Sequence, residues 1–245
     1  MFRQKIRFFF WHLLLSVVIV SGLSAWLFLV WYPTPLARAT GMYDVFYMVA
    51  LIDIVIGPLL GFVVYNESKA SLKFDLAFIF CLQIAALCYG TYSLAQGRPV
   101  WLAYNVDRFE LIRANEIVLN NKIQSSSPYQ QTSWLHPRFV GVQIAEDIDE
   151  KNKNLFEEVL AGISIAQRPE RYVELTQVKD QIQQRAQDLT QLKQFNKSSV
   201  VESTLVKYPQ ATAWVPLKAN TVDMVVLINK EKAEIIKIVD LRPWN

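Results

Sequence analysis

The sequence predicts a membrane protein with two parts, an N-terminal three-helix transmembrane bundle over residues 1–96 and a C-terminal α+β periplasmic domain over residues 97–245. Three observations lead to this prediction. All apolar runs of membrane-spanning length lie before residue 96, the rest of the chain is patterned like a water-soluble domain, and Lys and Arg favour one side of the runs.

The three apolar runs cover residues 8–31, 45–65 and 76–95. Each is close to or above the roughly 20 residues that a helix needs to cross the hydrocarbon. The first run is also longer than the apolar region of about 7–15 residues in a cleaved signal peptide. We therefore expect an uncleaved span here and two further spans after it.

Basic residues near the ends of the runs predict the orientation. One side has five of them and the other has three: Arg3, Lys5, Arg7, Lys69 and Lys73 against Arg38, Arg98 and Arg108. Since Lys and Arg are enriched in cytoplasmic loops, the N-terminus is expected in the cytoplasm. Three crossings then place residues 97–245 in the periplasm of a two-membrane bacterium, with the bundle in the inner membrane.

The second run, LIDIVIGPLLGFVVY, carries a carboxylate and two glycines at spacings of four. Asp53, Gly57 and Gly61 form one helix stripe, and the GxxxG pair lets another helix approach closely. Pro58 removes the hydrogen bond to the carbonyl of Ile54 and predicts a kink. Because a charge at mid-bilayer costs about 2.5–3.5 kcal/mol on insertion scales, the stripe is expected to face protein rather than lipid.

Two roles remain open for this stripe: a seam that packs the bundle, or a groove for the transmembrane helix of another protein. A proton relay is disfavoured, because no second acid lies at the same depth. Counting residues from the span ends places four hydroxyls near the level of Asp53, and one of them is expected to bind it: Ser21, Ser24, Tyr89 or Thr91. His12 is expected to lie too near the inner surface to reach Asp53.

The soluble part reads as strand, helices and strands. Residues 97–113 alternate like a strand that carries Trp101, Tyr104 and Arg108, and a hairpin is predicted where MVVLI and EIIKIVDL flank NKEKA. Helices are predicted over residues 149–166 and 172–195. The apolar stripe of the second helix has Leu175, Ile182, Leu189 and Leu192, which with the three strand residues are candidate contacts for a partner.

The sequence carries no recognisable catalytic or ligand motif. It has no P-loop, GxGxxG, HExxH or GxSxG, no paired metal-ligand spacing, and only His136 as a histidine outside the predicted spans. The net charge of +3 and the scattered basic residues exclude a nucleic-acid footprint. The expectation is a protein that is not an enzyme and that uses no cofactor and no metal.

Six segments, taken together and in order, resemble the type IV pilin accessory proteins of the TfpX/TfpZ type. They cover nearly the whole chain: KIRFFFWHLLLS, DIVIGPLLGFVVY, GRPVWLAYNVDRFELI, LHPRFVGV, AGISIAQRPERY and VDMVVLI…EIIKIVDLRPWN. The chain departs from the family at NKEKA, where a Gly is expected in the turn, and at residues 172–195.

The resemblance implies an inner-membrane protein that acts beside the major type IV pilin in pilus assembly, surface display and twitching motility, favouring extension over retraction. The hypothesis drawn from it has two contacts. The Asp53–Gly57–Gly61 stripe accepts the pilin helix or shapes the bundle that does, within membrane lipid. The periplasmic domain touches the pilin head or the pilus assembly platform. The alternative is a membrane-anchored periplasmic sensor or ligand-binding protein, although its cytoplasmic segments leave little room for an output.

Overall fold

The computed structural model describes residues 2–119, 128–143, 147–148, 152, 156–157, 159–160 and 162–245. The chain forms two compact units. The membrane unit consists of Met1–Pro33 and Met42–Gly97, and the sheet unit consists of Thr34–Gly41 and Arg98–Asn245. The predicted boundary had assigned Thr34–Gly41 to the transmembrane part, whereas this segment packs in the sheet unit.

The membrane unit has three helices that are long and apolar enough to cross a membrane: span one, Phe2–Trp31, span two, Met42–Val64, and span three, Leu72–Gly97. Span one is α-helical over Phe2–Trp26 and π-helical over Leu27–Trp31. Span two is α-helical over Met42–Leu51 and Gly57–Val64, with a π-helical turn over Ile52–Ile56 between them. Span three is one α-helix.

Among the described residues, the sheet unit has seven strands: β1 Pro99–Asn105, β2 Arg108–Arg113, β3 Arg138–Val142, β4 Tyr172–Val173, β5 Ala213–Lys218, β6 Met224–Asn229 and β7 Glu234–Val239. They lie in the order β4-β3-β1-β2-β5-β6-β7. Parallel pairs join β1 to β3 and β2 to β5, and the other neighbours are antiparallel. The α+β class and the hairpin around NKEKA are confirmed, and the strand pattern at residues 97–113 is a hairpin of β1 and β2.

Both faces of the sheet are covered. Leu102 and Tyr104 of β1 enter one core, which also contains Ile182, whereas Trp101 and Ala103 enter a second core on the other side. Successive side chains of a strand point to opposite faces, so a strand covered on both sides is buried along its whole length, as β1 is. A third core packs around Trp214 of β5.

The continuous helix predicted over residues 172–195 is wrong. The structure has instead β4, a 3₁₀ turn at Leu175–Val178, a helix at Lys179–Arg185, a 3₁₀ turn at Leu189–Gln191 and a helical turn at Leu192–Phe195. Gln187 breaks the helix because its backbone exchanges two hydrogen bonds with Trp214, at 2.9 and 3.0 Å. Asp188 then caps the next turn by accepting from the backbone N–H of Thr190 at 2.8 Å.

Two further elements lie outside these predictions. A helix at Ser198–Leu205, which the pattern did not predict, adds Val201 to the third core. Eight of the eighteen residues of the helix predicted over residues 149–166 lie outside the described residues; Phe156, Glu157, Val159 and Leu160 are helical, and a 3₁₀ turn occupies Ile165–Gln167.

The loop between the first two spans contributes to the sheet unit. Its helix, Leu36–Thr40, buries Leu36 and Ala39 in the core that contains Tyr104. The Ala39 carbonyl accepts from the backbone N–H of Thr221 at 2.9 Å. Gly41 ends this helix at φ 71°, where a Cβ would lie 2.4 Å from Oγ1 of Thr221, so both its conformation and its space require glycine.

Candidate functional site

The strongest candidate for a functional site is a polar cluster inside the membrane unit. Each span contributes one residue: His12 from span one, Asp53 from span two and Gln83 from span three. All three are buried, with 4% of His12 and 5% of Asp53 exposed. Because polar groups are costly within a membrane bundle, such a cluster has either a packing role or a functional one.

The backbone of span two explains why Gln83 is there. The π-helical turn directs the N–H of Gly57 to the carbonyl of Ile52, five residues back. The same spacing would give the Asp53 carbonyl a donor at residue 58, but Pro58 has no N–H. The amide Nε2 of Gln83 donates to the Asp53 carbonyl instead, at 3.3 Å. The sequence predicts that Pro58 leaves the carbonyl of Ile54 without its helical donor. In the structure, the carbonyl that receives a hydrogen bond from Gln83 is that of Asp53.

The other end of the Gln83 amide binds His12. The Nε2–H of His12 donates to Oε1 of Gln83 at 2.8 Å, since an amide oxygen can only accept. One side chain of span three thus connects spans one and two. In membrane bundles such interhelical bonds are worth about 0.6 kcal/mol on average and up to about 1.7 kcal/mol.

The glycine stripe lies inside the bundle, against side chains of the same chain. A Cβ at Gly57 would lie 1.7 Å from Nε2 of Gln83, and one at Gly61 would lie 2.9 Å from Cε1 of Phe8. Pro58 is buried beside them. Because Gly57 has no side chain, the Gln83 amide can lie against its backbone and reach both the Asp53 carbonyl and His12.

The expected hydroxyl partner of Asp53 is wrong. No described residue hydrogen-bonds the carboxylate, whose Oδ2 is buried, and the hydroxyl of Ser24 donates to the carbonyl of Val20. His12, expected to lie too far away, lines the same cavity as Asp53. Gln83 connects the two residues, because its amide oxygen accepts from His12 and its amide nitrogen donates to the Asp53 carbonyl.

A cavity of about 130 Å³ opens between spans one and three above this cluster, and we call it the notch. Its floor is buried and polar: His12, Ser16, Asp53 and Gln83. Its rim is apolar and exposed at the surface of the bundle: Leu15, Ile19 and Ile84. A cavity of about 150 Å³ in a protein core is large enough for a benzene molecule, so the notch has room for one side chain.

Two buried polar atoms at the floor have no hydrogen-bond partner among the residues that the structure describes: Oδ2 of Asp53 and Nδ1 of His12. A buried polar atom without a partner loses the stabilisation of a hydrogen bond, so a polar group entering the notch would gain it. The arrangement is suited to receive a side chain from a neighbouring helix. Among the described residues, no group of three or more His, Cys, Asp or Glu side chains is placed to hold a metal ion.

The candidate contacts in the sheet unit fall mostly inside it. Trp101, Tyr104, Ile182 and Leu192 are fully buried, and none of them offers a surface to a partner. Trp101 and Tyr104 are buried because β1 lies mid-sheet with both faces covered, whereas Ile182 and Leu192 belong to helical segments that pack into the first and third cores. Burial raises the pKa of the Tyr104 phenol to about 12.

The remaining candidates are at least partly exposed. Arg108 follows the tight turn between β1 and β2, with its Nε 3.8 Å from Oδ1 of Asp107. Leu175 packs against the edge of the first core. Leu189 borders an open groove of about 430 Å³, together with Leu205 and Val206, beside the ion pair of Lys193 and Glu202.

Comparison with known proteins gives the following matches. A family model described as fimbrial assembly protein FimB matches residues 1–41. The fimbrial assembly protein of serogroup E1 from Dichelobacter nodosus is 28% identical over 198 residues, which is 80% of this chain and 76% of that protein. The serogroup I protein from the same organism is 28% identical over 182 residues, or 74% of this chain and 70% of that protein.

A third relative is shorter. The fimbrial assembly protein of serogroups C1 and C2 from Dichelobacter nodosus is 31% identical over 116 residues, which cover 46% of this chain and 88% of that protein. No solved structure matches this chain.

Proposed function

This chain belongs to the family of fimbrial assembly proteins, and from that premise we propose that it is an inner-membrane accessory protein of type IV pilus assembly that contacts the major pilin and favours extension over retraction. The relatives are named for fimbrial assembly, and the resemblance of the six segments to pilin accessory proteins narrows this to type IV pili. In the proposal the N-terminus is cytoplasmic, the sheet unit is periplasmic and the protein acts by binding rather than by catalysis.

The notch supports the proposed contact within the membrane. A pilin awaiting assembly has one N-terminal transmembrane helix and a periplasmic head. In our proposal that helix packs along spans one and three and places a polar side chain in the notch, where Oδ2 of Asp53 and Nδ1 of His12 lack partners. The Asp53–Gly57–Gly61 stripe then shapes the bundle that receives the helix, rather than receiving it directly.

The strength of this contact suits a helper that must release its client. Interhelical hydrogen bonds in membranes contribute about 0.6 kcal/mol on average, so one or two of them give a weak and reversible association. A second weak contact would raise the occupancy, because two linked contacts act at a high effective concentration. We assign the second contact to the groove at Leu189, Leu205 and Val206, which would meet the pilin head.

Filling the notch tests the pilin contact. Leu15→Trp places a large side chain at the rim, and Leu51→Trp is its matched control, since the two leucines are 51% and 53% exposed and Leu51 does not line the notch. Surface pili are counted in cells with and without the retraction motor. We expect Leu15→Trp to lose surface pili as the deletion does, and Leu51→Trp to keep them.

The two genetic backgrounds separate retraction from assembly. If the protein favours extension, removal of the motor restores pili to both the deletion strain and Leu15→Trp. Pili that stay absent without the motor would contradict this part of the proposal and assign the protein to assembly itself. Normal piliation of Leu15→Trp in motor-containing cells would contradict the notch contact and favour the sensor alternative.

A further inference from the structure

The chain enters the C-terminal part of the sheet unit directly from the end of span three. Spans one and three end on the same side, because span two turns the chain back between them. Span three ends at Gly97, and Arg98 is the first residue of the sheet unit to follow it. Neighbouring Cα atoms are about 3.8 Å apart, so Arg98 stays within about 4 Å of the end of span three.

A loop of the sheet unit packs on Arg98, and we call residues 131–137 the Trp134 loop. The guanidinium carbon of Arg98 lies 4.2 Å from the centroid of the Trp134 ring, and its Nη2 donates to Oγ1 of Thr132 at 3.5 Å. The Trp134 ring therefore stacks on the residue that follows span three in the chain. Arg98 itself is buried, so the loop covers it.

The tip of this loop is apolar and exposed. Trp134 is 65% exposed and Leu135, its neighbour, is 56% exposed. Ser133 shapes the tip by accepting the backbone N–H of Leu135 on its hydroxyl at 3.0 Å. Single exposed apolar residues are ordinary on soluble domains. Here two adjacent apolar residues are exposed on an ordered turn, and one of them, Trp134, stacks on the residue that follows span three. This arrangement indicates a specific contact.

We propose that the Trp134 loop is a membrane anchor that docks on the phospholipid headgroup layer. Trp134 and Leu135 enter the interfacial region, which tryptophan favours because one end of its ring system is apolar and the other can hydrogen-bond. Arg138, which directly follows the loop, is exposed and carries a positive charge, which suits the phosphates of anionic lipids. This anchor does not depend on the proposed pilin contact.

The experiment measures the depth of the tip in full-length protein reconstituted into vesicles of phosphatidylethanolamine and phosphatidylglycerol. Cys81 and Cys88 are replaced by alanine, and a nitroxide is attached at Leu135→Cys or, as a control, at Val206→Cys. Val206 is exposed in the same unit but lies far along the chain from Arg98. Spin-label relaxation then compares collisions with lipid-dissolved oxygen and with a water-soluble nickel complex.

We expect the ratio of oxygen to nickel collisions to be several-fold higher at Leu135→Cys than at Val206→Cys. Equal ratios at the two sites would place the loop in water and overturn the proposal. A second measurement uses the native side chain: brominated lipids quench tryptophan fluorescence, and the Trp134→Phe variant should lose a quenchable component. If brominated lipids do not quench the part of the fluorescence that Trp134→Phe removes, the proposal is also overturned.

Discussion

Substituting Gly57 by alanine tests the packing of the polar cluster most sharply. The added Cβ would lie 1.7 Å from Nε2 of Gln83, far inside van der Waals contact, so the amide must leave its position. Its displacement breaks the bond to His12 at 2.8 Å and the bond to the Asp53 carbonyl at 3.3 Å. The carbonyl then has no donor, since Pro58 cannot supply one.

The expected cost follows from those two bonds. At about 0.6–1.7 kcal/mol for each interhelical hydrogen bond, Gly57→Ala should lower the free energy of unfolding by about 1–3 kcal/mol. Gly22→Ala is the matched control, because Gly22 is a helical glycine in span one with nothing within 4 Å of the added Cβ. That change should be neutral or slightly stabilising, as alanine favours helices by about 1 kcal/mol over glycine.

The assay is equilibrium unfolding in mixed micelles with increasing fraction of SDS. The double variant Gly57→Ala with Gln83→Ala adds a strict test, because removing the Gln83 amide also removes the clash. We expect the double variant to be about as stable as Gln83→Ala alone, a non-additivity of about the whole Gly57→Ala effect. Equal stabilities for Gly57→Ala and Gly22→Ala, or additive losses in the double variant, would refute the reasoning.

Three further predictions concern the sheet unit. Leu36→Ala should lower the free energy of unfolding of this unit by about 2–5 kcal/mol, because the buried Leu36 side chain anchors the loop between spans one and two. The exposed Leu135 is the control, and Leu135→Ala should change this free energy little. Thermal unfolding compares the two variants, and equal effects would contradict the insertion of the loop between spans one and two into the core. Stability should fall as pH rises between about 10 and about 12, because the Tyr104 phenol keeps its proton in the folded state at pH values where the unfolded chain loses it. Alkaline unfolding of Tyr104→Phe should show a shallower fall, and an unchanged slope would exclude Tyr104 as a cause. Gly41→Ala should destabilise the unit through its positive φ and its clash with Thr221, as seen by increased proteolysis, and unchanged protection would contradict that strain.

The local pattern of apolar residues is enough to predict the three spans and the hairpin of β6 and β7. The three spans appear as unbroken apolar runs, and the hairpin of β6 and β7 appears as two β-rich runs around a polar turn. The region 172–195 has an equally regular apolar spacing, yet it is not one helix. There, backbone pairing of Gln187 with Trp214 prevails over the local preference, and such pairing between distant residues leaves no trace in the spacing.

The site was predicted in part, for a similar reason. Small-residue spacing identified Gly57 and Gly61, because close helix approach depends on local sequence. Their neighbours Gln83 and His12 come from other spans, and counting residues from the ends of the apolar runs does not show which side chains of different spans meet. An available signal was Gln83 itself, an amide within the apolar run LAFIFCLQIAAL, where a polar side chain must find a partner.

In our proposal, a pilin helix binds the bundle at the notch. A photo-crosslinking amino acid placed at Leu15 or Ile84, on the rim, tests it in cells that express the pilin, with Leu51 as the matched position elsewhere on the bundle. The account predicts adducts with the major pilin from both rim positions and few or none from Leu51. Absence of pilin adducts from Leu15 and Ile84, or equal yields from Leu51, would contradict it.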